Sequence, residues 1–238
     1  MKEYGFVDYE GQTYKSVEIN AQVWMAENLN YKPAAGKSKC YAEGKGNHED
    51  DWLTPEAAQA NCAIYGRLYD WATAMNLPSS CNAASCASQI QSQHQGICPP
   101  GWHIPDTMEW NALKNFIAQE IFFNYEDEDF GWDVATKLKN VAGWKTHATE
   151  QGVDSYGFGA IGSGYCVSCE ELSSAAGYYS GEKEEAHWWS ATEYLNKNLP
   201  SDPVVKAYKS KITYNKNTIT QEFEKKIDYL YSVRCIKN

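Results

Sequence analysis

Eight cysteines are the residues of this chain best equipped for covalent chemistry. An even number of cysteines, in sequence rich in Gly, Ser and Asn, favours disulfides formed in an oxidising compartment. One pair flanks a short polar loop and another is separated by Val-Ser only, so both pairs are predicted to form local bridges. The local pairs are Cys81 with Cys86 and Cys166 with Cys169, which leaves Cys40, Cys62, Cys98 and Cys235 to pair over longer range.

Two other chemistries are open to the same cysteines. Cys166 and Cys169 could form half of a zinc site, with Cys81 and Cys86 as the other half. A Cys-x-x-Cys pair can also be redox-active, but that chemistry needs the pair to open a helix in a βαβ unit. Residues 162–165 instead have the composition of a strand end or loop. Disulfides are the predicted state, and neither a metal nor a cofactor is expected.

Histidines and carboxylates show no catalytic or metal-binding motif. The acidic run at residues 126–129, with Asp133, lacks the glycine and the final glutamate of an EF-hand, which favours a solvated acidic surface over a calcium site. Two carboxylates could hydrolyse a glycoside only at a separation that the fold sets. No catalytic residue is predicted. The histidines, which show no metal-ligand spacing, are His48, His94, His103, His147 and His187.

Arginine is rare in this chain. Only Arg67 and Arg234 occur, beside nineteen lysines. A sequence that otherwise uses lysine keeps arginine where a planar, permanently charged group is needed, so one interpretation is a clamp for an anionic ligand. Both arginines lie in apolar segments, however, and the favoured interpretation is structural ion pairs. The candidate partners are Asp70, Glu27 and Glu193.

Aromatic side chains are the best candidates for non-covalent binding, because sugar rings pack their C–H faces against aromatic rings. Most of the nine tryptophans lie in apolar segments and are predicted to be core residues. Residues 162–187 are rich in Gly, Ser and Ala and carry their own short cysteine pair, so they are predicted to form the binding loop. The predicted ligand-binding residues are Tyr165, Tyr178, Tyr179, His187 and Trp188.

Charge and hydropathy exclude two classes of partner. The formal net charge is −10, whereas a nucleic-acid surface needs clustered Lys and Arg. No apolar stretch approaches the ~20 residues that a membrane-spanning helix needs. Residues 1–10 lack the basic and apolar regions of a signal peptide, so we expect a signal to have been removed. The cysteines place the expected location outside the cell or at its surface.

The pattern of apolar residues indicates the elements that must position these side chains. The clearest helix begins at Asp106 or Thr107, with Thr107 as its predicted cap and an apolar stripe through residue 121. A second helix is predicted over residues 134–141 and a short one over 68–75, and residues 32–54 read as an irregular surface segment. Strands are predicted at residues 12–19, 23–25, 156–161, 187–194, 204–213, 218–223 and 229–236. The turn at residues 215–217 predicts a hairpin.

Two helices followed by an antiparallel meander indicate the α+β class. No internal repeat or linker divides the chain. We therefore predict an N-terminal extension at residues 1–11 and a single domain at residues 12–238.

Six segments, in order, resemble the Fibrobacter succinogenes major paralogous domain family, and together they span nearly the whole chain. They are residues 12–15 (QTYK) with 22–30 (QVWMAENLN), 65–71 (YGRLYDW), 98–106 (CPPGWHIPD) with 109–110 (EW), 152–158 (GVDSYGF), 188–194 (WWSATEY) and 232–235 (SVRC).

The resemblance implies a variant of the C-type-lectin-like fold, related to formylglycine-generating enzymes and found in secreted and surface proteins of bacteria. It implies a twisted antiparallel sheet with two helices and long loops, and Cys98–Cys235 and Cys40–Cys62 bridges. It implies no established activity. The Glu-Pro-Asn, Gln-Pro-Asp and Trp-Asn-Asp motifs of calcium-dependent lectins are not present. The cysteine pair of the related oxidases falls near the end of the domain, whereas the comparable pair here, Cys81 and Cys86, lies in the first half.

Three functions are compatible with these observations. The favoured one is a secreted or cell-surface binding module that recognises a glycan or a protein through its loops without calcium. The second is a diverged enzyme, either a carboxylate hydrolase or a cysteine oxidase. The third is a structural building block of a surface adhesin.

Overall fold

Two curled, mainly antiparallel sheets and several helices form the parts of the chain that the computed structural model describes, which are residues 5–44, 53–124, 133–169, 177–195 and 205–238. The mixed α+β class predicted from the sequence is confirmed. The strands are β1 (Gly5–Tyr9), β2 (Gln12–Ile19), β3 (Gln22–Met25), β4 (Ser38–Lys39), β5 (Leu68–Tyr69), β6 (Trp102–His103), β7 (Ser163–Val167), β8 (Tyr178–Glu182), β9 (Glu185–Tyr194), β10 (Lys206–Thr213), β11 (Thr220–Lys225), β12 (Tyr229–Leu230) and β13 (Ile236–Lys237). The helices are α1 (Pro55–Tyr65), α2 (Trp71–Ala74), α3 (Thr107–Asn124) and α4 (Val134–Leu138).

The first sheet has the strand order β1-β2-β3-β13-β6, with antiparallel neighbours. Strand β2 lies where it was predicted, and Tyr14, Val17 and Ile19 are buried. Ser16 is buried beside Val17, however, so this strand buries side chains on both faces and does not alternate strictly. Strand β1 lies in the segment assigned above to an N-terminal extension, and it pairs with β2 along its full length.

The second sheet has the order β11-β10-β9-β7-β12, and β8 pairs with β7 as well. Strands β10 and β11 form the hairpin predicted around residues 215–217. Strands β7 and β9 are parallel where Gly164 meets Ala186. A small third sheet contains β4 and β5.

The C-terminal segment connects the two large sheets. Residues 229–236, predicted as one strand, instead contribute β12 to the second sheet and β13 to the first. The Cys98–Cys235 bridge fixes this segment to the chain just before β6. A stretch that the sequence pattern predicts as one strand therefore pairs with strands of both sheets.

Helix α3 carries the predicted apolar stripe, and Trp110, Leu113, Ile117 and Ile121 are buried. Its cap is Asp106, not Thr107. The Asp106 carboxylate accepts hydrogen bonds from the amides of residues 108 and 109, and the Glu109 carboxylate accepts one from the Asp106 amide. This reciprocal capping box satisfies backbone donors that the first helical turn leaves unpaired.

An aromatic core joins α3 to both sheets. Trp110 lies with its ring centroid 4.8 Å from that of Trp24 in β3 and 5.6 Å from that of Trp188 in β9. Phe158 packs edge-on against all three tryptophans. Rings of this size bury large apolar areas, and this cluster fixes the helix against the sheets.

Several predicted elements differ from the structure. Residues 156–161 form no strand, because Gly157 and Gly159 adopt φ of 71° and 67°, which interrupts an extended backbone. The predicted helix over 68–75 is β5 followed by α2, which the Asp70 side chain caps, and α4 ends at Leu138. Helix α1 was not predicted, although Thr54 caps it and Pro55 opens it, a pattern typical of helix starts.

Four disulfides pair all eight cysteines: Cys40–Cys62, Cys81–Cys86, Cys98–Cys235 and Cys166–Cys169. They are the two local bridges expected from the spacing and the two that the family resemblance implies. The chain is therefore disulfide-rich. None of the described helices is long and apolar enough to cross a membrane.

Candidate functional site

The five residues predicted to bind a ligand do not form a single site. Tyr165 and His187 are in contact, with ring centroids 5.0 Å apart. Tyr178 is 55% exposed, but His187 is only 2% exposed and lies beneath the surface. Trp188 is fully buried in the aromatic core, because β9 is covered on both faces, so it does not belong to a ligand-binding surface.

Three tyrosines of the second sheet form a surface that we call the tyrosine face: Tyr165, Tyr178 and Tyr229. Tyr178 in β8 and Tyr229 in β12 are both directly opposite Val167 of β7, one on each side. Directly opposed residues project to the same face of a sheet, so these two tyrosines flank Val167. Tyr165 contacts Tyr229 with ring centroids 6.3 Å apart. Tyr165 and Tyr229 are half-buried and Tyr178 is exposed.

A buried aromatic layer supports the tyrosine face. Tyr231, which is 1% exposed, lies with its ring centroid 5.5 Å from that of Tyr229 and 6.0 Å from that of Tyr165. The Trp189 ring packs edge-on against Tyr231, with ring centroids 4.6 Å apart. Tyr165 and Tyr229, held by these ring contacts, lose little further conformational freedom when a ligand contacts them, so this part of the tyrosine face is pre-organised.

A charged network adjoins the same layer and fixes His187. Lys209 Nζ lies 3.1 Å from His187 Nδ1 and 2.9 Å from Glu222 Oε2, and His187 Nε2 lies 2.8 Å from Glu185 Oε2. A lysine ammonium can only donate, so His187 Nδ1 accepts and Nε2 carries the ring proton that is donated to Glu185. Burial lowers the pKa of His187 to about 4. The imidazole is therefore neutral at neutral pH.

Carboxylates and lysines lie near His187 and Tyr231, the residues that support the tyrosine face. Glu222 has 45% of its side chain exposed, and Lys211 pairs with Glu185 at 3.1 Å. Burial raises the pKa of Tyr229, and the negative charge of nearby Glu224 raises it further. The face thus combines ring surfaces with hydrogen-bonding groups of both charges.

Tyr179 belongs to a different environment from Tyr178. Its hydroxyl donates to the Glu43 carbonyl at 2.7 Å, and its ring centroid lies 5.1 Å from that of Tyr41. Burial raises the pKa of this phenol strongly. The side chain packs with Leu68, Cys166 and Leu230 in a small apolar cluster. Tyr179 therefore has a structural role here.

The two arginines are buried, but their partners differ from those expected. Arg67 lies 3.9 Å from Glu43. Among the described residues, Arg234 makes no ion pair at hydrogen-bond distance. Its Nε and Nη2 atoms both donate to Asn28 Oδ1, at 3.1 and 2.6 Å. Of the candidate partners, Asp70 caps α2 and Glu193 pairs with Lys226 at 2.6 Å.

Tyr229 was not predicted as a site residue. The sequence pattern that could have indicated it is the alternation Tyr229-Leu230-Tyr231, which is typical of a strand with the two tyrosines on one face. In the described parts of the chain, no three His, Cys, Asp or Glu side chains come together as metal ligands. The acidic run at residues 126–129 lies outside the described residues.

Comparison with curated proteins gave no match, and comparison with solved structures gave none. The family model of the Fibrobacter succinogenes major domain matches residues 17–237. Because this match covers almost the whole chain, the protein belongs to the Fibrobacter succinogenes major domain family.

Proposed function

We propose that the protein is a binding domain that holds a glycan on the tyrosine face without calcium. The observation that carries this proposal is the arrangement of Tyr178 and Tyr229 on either side of Val167, with Tyr165 beside Tyr229. The proposed site keeps Tyr165 and Tyr178 from the sequence prediction, adds Tyr229, and assigns His187 a supporting position beneath them.

Spacing and shape favour an extended saccharide as the ligand. Tyr178 and Tyr229 lie two strands apart, a separation of about 10 Å, which is comparable to the length of a disaccharide. Sugar rings present flat C–H surfaces that pack on aromatic rings, and the tyrosine hydroxyls offer hydrogen bonds at the ring edges. Tyrosine also gives a large contact area at a low cost in side-chain entropy.

The charged surroundings supply partners for sugar hydroxyls. The Glu222 side chain is 45% exposed, and the Lys211–Glu185 pair lies near the surface. Because carboxylates accept and lysines donate, the two types together can satisfy hydroxyl groups that act as donors and acceptors. Neither group requires a metal ion, in agreement with the calcium-independent binding proposed.

We further propose that the protein is extracellular or at the cell surface and that it is one domain with the C-type-lectin-like fold. Four disulfides support an oxidising location. Two sheets joined by the C-terminal segment support the fold assignment. Alkylation before reduction, followed by intact-mass measurement, should detect no free thiol. Two or more alkylated cysteines, or bound zinc, would contradict the disulfide basis of this location.

The function is tested by pull-down with insoluble cellulose, chitin and xylan. We expect at least one of them to retain the protein, with or without EDTA. Tyr178→Ala and Tyr229→Ala should each weaken retention about tenfold, which corresponds to about 1.4 kcal/mol. Tyr208→Ala is the matched control, because Tyr208 lies in the same sheet but contacts Tyr194 and Phe223 instead. The proposal fails if no polysaccharide retains the protein or if the Tyr178 and Tyr229 variants bind like the wild type.

A further inference from the structure

A polar cleft of about 550 Å³ lies on the first sheet and shares no residue with the tyrosine face. Residues of β2, the segment after β3, the end of α1 and the irregular segment around residues 154–161 form its walls. A cavity of this volume is within the range of small-molecule sites.

The floor of the cleft is rigid. Asn28, which is 6% exposed, donates to the Tyr65 carbonyl at 2.9 Å, and its Oδ1 accepts from Trp188 Nε1 at 2.8 Å. The fully buried Arg234 donates to the same Oδ1 and also to the carbonyls of Met25 and Phe158. With so many fixed partners, Asn28 holds one position at the base of the cleft.

Two carboxylates stand above this floor. Glu27 Oε2 accepts from the Lys15 amide at 3.0 Å, and Asp154 Oδ1 accepts from the Gly159 amide at 3.0 Å. A carboxylate has about four acceptor sites, so each can accept further hydrogen bonds from a ligand. Burial lowers the pKa of Arg234, and the negative charges of Asp154 and Glu27 oppose this effect, which shows that both carboxylates lie near the buried arginine.

The backbone around Asp154 is held in an unusual conformation. Asp154 has a φ of 45°, in the left-handed region that favours glycine. Gly159 follows with a φ of 67°, and a Cβ at this position would lie 2.4 Å from the Ala26 carbonyl oxygen. Because Gly159 donates its amide to Asp154, this close approach brings the Asp154 carboxylate next to the segment that carries Glu27.

Charge indicates the kind of molecule that the cleft suits. Lys15, Glu27 and Asp154 are the charged side chains among the lining residues, and Arg234 lies beneath them. The formal charges of these four side chains cancel, so neither an anion nor a cation gains a strong net attraction. Hydrogen-bonding capacity, by contrast, is abundant. Ile64, which is 59% exposed, adds an apolar surface at the wall.

We propose that this cleft is a second binding site that takes one neutral sugar ring, with Glu27 and Asp154 accepting hydrogen bonds from its hydroxyl groups and Ile64 packing on its C–H face. A pair of carboxylate acceptors suits adjacent hydroxyls, which both donate. The site is independent of the tyrosine face, and it remains tenable if that surface binds nothing.

The test uses a panel of neutral monosaccharides, namely glucose, galactose, mannose, xylose, arabinose and fucose, titrated against the whole protein by NMR and calorimetry. At least one sugar should bind and shift the side-chain amide signals of Asn28. Glu27→Gln and Asp154→Asn should each weaken that binding at least tenfold, since an amide replaces an acceptor oxygen with a donor. Glu18→Gln, at an exposed position of β2, is the matched control and should bind like the wild type.

Two additional variants keep the result interpretable. Ile64→Lys places a charged chain at the exposed wall without entering the core, so it should reduce binding even if Asp154→Asn proves unstable. Tyr229→Ala should leave the sugar-induced shift of the Asn28 side-chain amide signals unchanged, because Tyr229 lies outside the cleft. The proposal is overturned if no sugar of the panel binds, if the Glu27 and Ile64 variants bind as tightly as the wild type, or if Tyr229→Ala abolishes the binding.

Discussion

The imidazole ring of His187 stacks on the phenol ring of Tyr231, with ring centroids 4.8 Å apart and ring planes inclined by 11°. Lys209 Nζ lies 5.2 Å from the centroid of the same phenol ring and 3.1 Å from His187 Nδ1. Protonation of His187 would therefore place a second positive charge beside the Lys209 ammonium. The stack therefore links the protonation of His187 to the support of the tyrosine face.

Acidification is expected to destabilise the protein through His187. Burial lowers its pKa to about 4 in the folded chain, from 6.5, so between these values the unfolded chain binds a proton that the folded chain does not. The free energy of unfolding should therefore fall as the pH decreases from 6.5 to 4, by on the order of 3 kcal/mol from this group. Urea denaturation at several pH values measures this decrease in the free energy of unfolding.

The variant that tests this prediction is His187→Gln. Glutamine at position 187 can donate to Glu185 and accept from Lys209 but does not titrate, so the slope between pH 4 and 6.5 should become shallower. The pKa of Glu185 is lowered from 4.5 to about 2. Its effect on stability therefore falls at a lower pH than that of His187, between pH 4.5 and about 2. Parallel profiles for the His187 variant and the wild type would contradict the assignment.

Tyr178 and Tyr179 should behave differently although they are adjacent. Tyr178→Ala removes a side chain that is 55% exposed and should change stability by less than about 0.5 kcal/mol. Tyr179→Ala should cost about 3 kcal/mol, because it removes a packed ring and its hydrogen bond to the Glu43 carbonyl. Thermal denaturation distinguishes the two alanine variants. Tyr179→Phe loses only the hydrogen bond, so its stability should fall between that of Tyr179→Ala and that of the wild type. Equal destabilisation by the two alanines would place Tyr178 in the core.

Arg234→Lys should be strongly destabilising, by about 3 kcal/mol. The guanidinium places two donors on Asn28 Oδ1 and others on the Met25 and Phe158 carbonyls. A lysine ammonium cannot reach these acceptors in the same plane, and it leaves buried oxygens unsatisfied. Arg67→Lys should cost less, since a point charge suffices opposite Glu43 at 3.9 Å. If both variants melt like the wild type, the structural role of Arg234 is contradicted.

Two of the disulfides should contribute unequally to stability. The Cys98–Cys235 bridge closes a loop of 137 residues, whereas Cys81–Cys86 closes one of 5. On the chain-entropy argument these loops correspond to about 5 and about 2 kcal/mol. The double variant Cys98→Ala/Cys235→Ala should therefore denature at a much lower urea concentration than Cys81→Ala/Cys86→Ala. The reverse order would show that enthalpic contacts, not loop closure, dominate.

Local patterns determined much of the fold from the sequence alone. The position of β2, the apolar stripe of α3 and the β10–β11 hairpin depend on residues that are close in the sequence, so the sequence pattern predicts them. The cysteine spacings indicated the local bridges for the same reason. Errors arose where backbone conformation overrides composition, as at Gly157 and Gly159, where positive φ ended a predicted strand.

The candidate sites were decided by tertiary structure. Trp188 and Trp189 are adjacent, and both are buried because β9 is covered on both faces, so alternation could not indicate which one meets solvent. Tyr178 and Tyr229 share one face only because β8 and β12 both pair with Val167. Long-range strand pairing sets that relationship, and the sequence contains no local pattern from which such a pairing can be read.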